Sequence, residues 1–445
     1  MTAVPYGASG AAPYDASGYR VDVLSRADEL PDADWAQLAP ADDPMWSRAL
    51  FSAMEHSSIG PDDYAYLAVR RGGRTVAVLP LCLFRALRLD DIVGPRERRL
   101  LAPLRRFLPR LLRVPMLFCG NLLGEGHVLA AGGRPPEEVC RLLVAAVLGF
   151  ARRERLGTVV FKDFAPAALD PLRPALEAAG FFFVPSLPDT ELRLGHASFE
   201  EYVASLPPKP RRNARSKIRK FRAFGGGGLR LEVLDEFSCL LPQMLALYRQ
   251  VMEHADQTLD LLDASFLAAV HAQDGLSRRL VACFEGERLV AFLLCFFAGS
   301  GATGARIGLD YRIAHEARLY HNVHYEAIRL ALASGSGHIR FAQTTYEPKL
   351  ELGCVLVEQW HAMTHVRPLP RAVLRRLLPP ALTAALAAAL GPDAAGDAAG
   401  DAAGAAPSTA TSTATSTSTS SSTAAGAPTG PSGGPDQERF PHATR

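Results

Sequence analysis

Chemistry-bearing side chains gather between Ile307 and Gly353, in the runs Gly308-Leu309-Asp310-Tyr311, Leu319-Tyr320-His321-Asn322, Tyr325-Glu326 and Thr344-Thr345-Tyr346-Glu347-Pro348-Lys349. Among the titratable groups Asp310, His321, Glu326 and Glu347, His321 is the best proton acceptor, because an unperturbed imidazole titrates near ~6.5. A capping or packing histidine is the alternative. Glu326 shares a helical face with neither His321 nor His324 and is expected to make a structural hydrogen bond. Tyr311, Tyr320 and Tyr346 can donate to a leaving group or bind an acceptor, or simply pack. Lys349 is one of five lysines among 48 basic residues. Where arginine is so freely used, a lysine is wanted for its compact, tunable ammonium, or it makes a surface salt bridge.

These residues need elements to hold them. A helix starting near Tyr320-His321-Asn322 would turn free N–H groups and the positive end of its dipole toward a phosphate. Arg312 and Arg318 would add charge there, and Asn322 would serve as ligand or as plain N-cap. The strand before it, Ala305–Asp310, would offer backbone amides to an oxyanion if it carried a bulge, which Gly308 permits. The pairs His321/His324 and His361/His365 lack a third ligand at metal spacing, so no metal is expected.

The wider chain repeats itself. Tyr64–Val69, a Gly72-Gly73 turn and Thr75–Phe84 read as a hairpin, as do Leu280–Phe284, a Gly286 turn and Leu289–Phe297. Each is followed by a helix, a glycine and a strand: Pro136–Arg153 and Thr158–Phe161 in the first half, Asn322–Ala333 and His338–Phe341 in the second. The expected organisation is a disordered N-terminus (1–18), a first domain (19–194) with a basic insertion (85–115), a second domain (195–385) carrying the site, and a disordered Ala/Ser/Thr-rich tail (386–445).

The ordered set of motifs, together with this duplication, resembles the GNAT acyltransferase superfamily, and within it the tandem-GNAT branch called BioF2-like or FemAB-like. The resemblance implies an α/β fold (α+β mixed sheet) present twice, with helices on both faces. It also implies transfer of an acyl group from acyl-CoA, as co-substrate, to the amine of a small molecule or cell-envelope precursor. In that setting the donor would meet Gly308, Leu309, Arg312, Arg318, Tyr320 and Asn322, while His321, Tyr346, Asp310, Tyr311 and Lys349 would carry the chemistry. One feature departs from the family: the loop Arg312–Asn322 has no glycine, where many members hold the pyrophosphate on a glycine-containing loop. Two other readings follow, an aminoacyl-tRNA-dependent transferase acting on a peptidoglycan precursor, or a non-catalytic module binding a lipid-linked or polysaccharide precursor.

Composition bounds the partners. The 445 residues carry 48 basic and 46 acidic side chains, too even a balance for a protein built to coat nucleic acid. Lys209–Arg222 holds eight positive charges and no acid. It lacks an aromatic face for stacking bases, so a general electrostatic role is favoured over dedicated tRNA binding. The insertion 85–115 carries nine arginines among leucines; it packs as a surface helix or touches an anionic membrane peripherally. Seven scattered cysteines read as reduced thiols, and a cytoplasmic location is expected. The longest wholly apolar run, Leu289–Ala298, is ten residues, about half of what a bilayer requires, so no spanning helix is expected.

Overall fold

The computed structural model describes residues 18–88, 113–253 and 262–403. Most of the basic insertion therefore lies outside the described residues, as do 1–17 and 404–445. In the first half the strands are β1 (Tyr19–Leu24), β2 (Asp63–Arg71), β3 (Arg74–Arg88), β4 (Arg113–Cys119), β5 (Leu129–Ala130), β6 (Thr158–Phe164), β7 (Phe182–Pro185) and β8 (Asp189–Arg193). In the second they are β9 (Leu229–Leu234), β10 (Arg278–Glu285), β11 (Arg288–Ala298), β12 (Gly301–Leu309), β13 (His338–Arg340), β14 (Val355–Val357) and β15 (Trp360–His365).

The two hairpins form where expected. Gly72 and Gly73 take φ values of 57° and 81° between β2 and β3, the left-handed backbone that a two-residue turn requires. Each half then builds a helix and a parallel pair. Helix Glu137–Arg153 leads into β6, which runs parallel to β4, and helix Leu319–Ala333 leads into β13, which runs parallel to β12.

The halves exchange their last strands. One sheet runs β1-β2-β3-β4-β6-β15-β7, and the other β14-β8-β13-β12-β11-β10-β9. Thus β15, near the end of the second half, sits between two strands of the first, and β8 does the reverse. The division expected at 194/195 is crossed in both directions. The crossover segments also bond to each other. Ser186 N donates to Gln359 O at 2.9 Å, and Gln343 donates to both Leu187 O and the Gln359 side chain. Arg340 on β13 reaches Glu125 in the first half and Glu191 on β8.

Apolar packing repeats this pattern. Helix 137–153 covers one face of the first sheet through Val139, Leu143, Val147 and Phe150, while helix 319–333 covers the second through Val323, Tyr325, Ala327 and Ile328. The remaining faces share a core containing Trp46, Phe51, Tyr66, Phe237, Phe266 and Phe292. The expected tail boundary at 385/386 falls inside the helix Pro368–Ala403. Its first part, Pro368–Leu390, is long and apolar enough by length and composition alone to cross a membrane, a property that a search for uninterrupted apolar runs does not reveal.

Gly308 is buried for packing. A Cβ there would meet the Phe292 ring, and Leu247 of helix Leu241–Glu253 at 2.9 Å. Gly308→Ala is therefore expected to destabilise the protein by about 1–3 kcal/mol through overpacking, read as a lower denaturation midpoint.

Candidate active site

The site begins where a sheet comes apart. β12 pairs with β13 only from Gly301 to Thr303, opposite His338 to Arg340. β12 then runs on to Leu309, while Phe341 N donates to Thr190 O on β8 and leads the chain away. On its other edge β12 carries a bulge at Ala305, because Leu294 faces Arg306 while Cys295 faces Gly304. Asp310 N donates to Val290 O at 2.8 Å. By alternation along the strand, Gly308 also faces β11, whereas Ile307 and Leu309 turn their N–H groups to the parted edge. Of the two strand residues expected to meet the donor, Leu309 turns its N–H to the parted edge and Gly308 turns its own to β11.

Helix 319–333 points its N-terminus at this opening. Arg318 precedes it in the left-handed region (φ 58°), and no side chain caps the first turn. The amides of Leu319, Tyr320 and His321 therefore carry the exposed end of the dipole. Asn322 is not the N-cap. It lies in the helix, and its amide donates to Arg318 O at 2.9 Å and to Lys217 O at 3.4 Å. Tyr320 stacks on His324 at 4.2 Å, and His324 meets Phe341 edge-on at 4.7 Å, which gives the opening an aromatic floor. The Tyr320 hydroxyl is buried without a hydrogen-bond partner.

The loop before this helix is internally paired. Asp310 caps the short helix Tyr311–Ala314 and accepts from Arg312 N, from the Arg312 guanidinium at 2.9 and 2.7 Å, and from Arg288. The Arg312 hydrogen bonds, with Arg288, hold its carboxyl far below the usual carboxylate range. Asp310 is consequently a poor proton acceptor, and it engages the Arg312 charge expected for a phosphate. Arg318 leans on His315 at 3.4 Å, and Tyr311 is 41% exposed beside the loop.

His321 sits in a cluster that the sequence did not disclose. Its Nε2 is 3.1 Å from Glu351 Oε2 and 2.7 Å from Lys217 Nζ. Lys217 also pairs with Glu351, whose other oxygen accepts from Asn213. Burial, then the Lys217 charge, push the His321 pKa down to about 4, against the pull of Glu351. Burial works to raise the Glu351 pKa, but the Lys217 and Asn213 hydrogen bonds outweigh it and keep the carboxylate ionised. The imidazole is therefore neutral at physiological pH, and the nearer Lys217 ammonium, which can only donate, makes Nε2 the acceptor.

Tyr346 and Lys349 lie elsewhere, as scaffold. The Tyr346 hydroxyl donates to Pro188 O at 2.9 Å, and Lys349 Nζ donates to Ala342 O and Gln343 O at 2.8 and 2.9 Å. Both are buried, which corrects the expectation of a catalytic tyrosine and of a catalytic or surface lysine. Burial lowers the Lys349 pKa to about 8, with Asp189 opposing. The carbonyls that Lys349 holds belong to a strained loop in which Ala342, Thr344 and Thr345 all have positive φ. Glu326 pairs with Arg329 at 2.9 Å, in the structural role expected of it. His361 Nδ1 accepts from Asp163 N, and His324 Nδ1 lies 2.7 Å from Tyr320 O. Among the described residues no three His, Cys, Asp or Glu side chains are grouped to hold a metal.

Residues 208–350 match the acetyltransferase (GNAT) domain family. The second half carries a GNAT domain. In this GNAT domain the strand pair that parts is β12 and β13, and the helix facing the gap is 319–333. Among solved structures the chain is similar to FemX (12% identity, 76% of this chain and 96% of that one, TM-score 0.49). It is also similar to the C-terminal domain of a putative lysylphosphatidylglycerol synthetase from Agrobacterium fabrum (10%, 77% and 94%, 0.46). A third is a tandem GNAT protein from the clavulanic acid biosynthesis pathway (15%, 79% and 99%, 0.45). No curated protein matches the sequence.

Sequence reasoning missed Lys217, Asn213 and Glu351. A signal existed: Asn213 and Lys217 are four apart on helix Pro208–Ala223 and so share a face. Glu351 carried none, since its partners lie 30 and 134 positions away.

Stability should follow the imidazole. The unfolded His321 titrates near ~6.5 and the folded one near 4, so between these values the unfolded state binds more protons. Stability is complete above about pH 6.5 and is lost as pH falls toward 4. His324, lowered by burial to about 3, adds to the same trend. The melting temperature is expected to drop by several degrees over this window, and His321→Gln should flatten the drop measurably in a pH series.

Proposed function

We propose that this protein is an N-acyltransferase whose second half binds an acyl-CoA donor in the gap between β12 and β13 and passes the acyl group to an amine. The observation that carries this reading is the parting of the two parallel strands opposite an uncapped helix N-terminus. A helix start with free amides suits the donor's pyrophosphate even where the preceding loop lacks glycine. Exposed Lys209, Arg212, Arg215, Arg219 and Lys220 lie on helix 208–223, which packs on helix 319–333 and adds positive field near that terminus. The N–H groups of Ile307 and Leu309 are placed for the thioester carbonyl, where the developing oxyanion would be met by fixed donors. The first half, which lacks this gap, would frame the acceptor.

Each residue then has a chemical task. His321 Nε2 accepts from Lys217, and once Lys217 turns wholly to Glu351 that lone pair takes the proton the amine loses on attack, leaving Nε2–H to donate to Glu351. Lys217 compensates the Glu351 charge and keeps the imidazole unprotonated. A base of pKa near 4 is always available at neutral pH but offers little driving force, so its contribution belongs at the low end, about 10²-fold. The tetrahedral intermediate collapses by expelling the CoA thiolate. The acceptor class we favour is a small-molecule or cell-envelope amine.

Free thiol released from acyl-CoA in the presence of amines tests this directly. His321→Ala and Glu351→Gln are expected to lower kcat by about 10²-fold and about tenfold. Tyr346→Phe should leave the rate within about twofold and cost about 1 kcal/mol of stability. Lys217→Met should move the acidic limb of the rate profile upward from pH 4. If aminoacyl-tRNA is instead the donor, which the basic helix 208–223 would also suit, activity will vanish on ribonuclease treatment and acyl-CoA will give none.

A further inference from the structure

The three most exposed large apolar side chains among the described residues are Leu369, Val373 and Leu377, at 80%, 55% and 60% exposure. They are spaced four apart on helix Pro368–Ala403 and so form one stripe. The opposite face of that helix is occupied, because Leu374, Leu378 and Leu382 pack on the shared core. Leu369 and Val373 also form one wall of an open apolar groove of about 450 Å³, whose other wall is Val114, Thr158 and His365. Groove and stripe are thus one continuous apolar surface at the strand ends of the first sheet.

Its charge is one-sided. Arg367, Arg371, Arg375 and Arg376 lie in and beside this stretch, and no Asp or Glu occurs between Glu358 and Asp393. Arg376, seven residues after Leu369, rides beside the apolar stripe. Large apolar side chains with an arginine beside them, in a segment free of acids, complement a surface that is hydrocarbon below and anionic above. A second copy of the chain would bring arginine against arginine, and a neutral partner would leave the charge unused.

Length and composition alone would let Pro368–Leu390 cross a bilayer. The packing excludes it, because a spanning helix would have to strip Leu374, Leu378 and Leu382 from the core and take three arginines into hydrocarbon. We infer that this helix lies in the plane of an anionic phospholipid surface, with Leu369, Val373 and Leu377 inserted among the acyl chains and Arg376 among the headgroups. This surface is independent of the proposed active site.

Flotation of the full chain with vesicles tests the inference. The protein is expected to rise with equimolar phosphatidylglycerol–phosphatidylcholine vesicles and to remain behind with phosphatidylcholine alone. Leu369→Ser/Val373→Ser/Leu377→Ser should lower the bound fraction at least about tenfold, with an unchanged melting temperature because these side chains are exposed. Arg376→Ser should weaken binding about fivefold and blunt its salt dependence. The inference is overturned if both variants float like the parent, or if the parent ignores anionic vesicles. It is equally overturned if the apolar triple variant changes only the oligomeric state, which would assign the stripe to a second copy. Resistance of the vesicle-bound protein to alkaline carbonate extraction would also overturn it, in favour of a spanning helix.

Discussion

The parting of β12 from β13 depends on which strand wins the chain after Arg340. Phe341 donates its amide to Thr190 on β8 rather than continuing along β12, Thr190 returns a hydrogen bond to Ala342 O, and Tyr346 ties to Pro188 O. All three bonds tie to the first half, through Thr190 and Pro188. The exchanged strand thus pulls the end of β13 outward, and Lys349 holds the resulting left-handed turn by its carbonyls. In the first half the corresponding space is closed. β4 stops at Cys119, and Gly126 comes back to bridge Phe164 and to donate to Asp163 O. A Cβ at Gly126 would strike Lys162 O and the Phe164 ring, so glycine is what lets the backbone fill the gap. One duplicated design therefore gives one open and one sealed pair of strands.

Charge around the open pair is arranged so that little of it is loose. Asp310 collects Arg288 and Arg312, and Glu351 collects Lys217 and Asn213. Each carboxylate is ionised because its partners outweigh the cost of desolvation. Removing Lys217 would leave the Glu351 charge in a partly buried place with only amide and imidazole for company, which is why the pair is positional as much as electrostatic.

Much of the architecture was legible in the chain, because hairpins and glycine-ended helices are written locally. The turn at Gly72-Gly73, helix 137–153 and helix 208–223 fall within a residue or so of their expected limits. Helix 319–333 begins three residues earlier than its sequence suggested, since its start is marked by the left-handed Arg318 rather than by a capping side chain. Strand exchange was not legible: period and propensity say which residues form β8 and β15, not which sheet receives them. The site divides in the same way. His321, Leu309 and the helix mouth follow from a short segment, whereas Glu351 and Lys217 join it only through the fold. Tyr346 and Lys349 stood close in sequence to the right loop and serve as its supports.

The reciprocal placement of β8 and β15 also sets an order of events during synthesis. The first sheet lacks an internal strand until Trp360–His365 has been made, so β7 has no neighbour on that side while the intervening residues emerge from the ribosome. The N-terminal half cannot mature as an independent unit, and its final closure is a contact across some two hundred residues of chain, the kind of distant pairing that slows folding and lengthens dependence on chaperones.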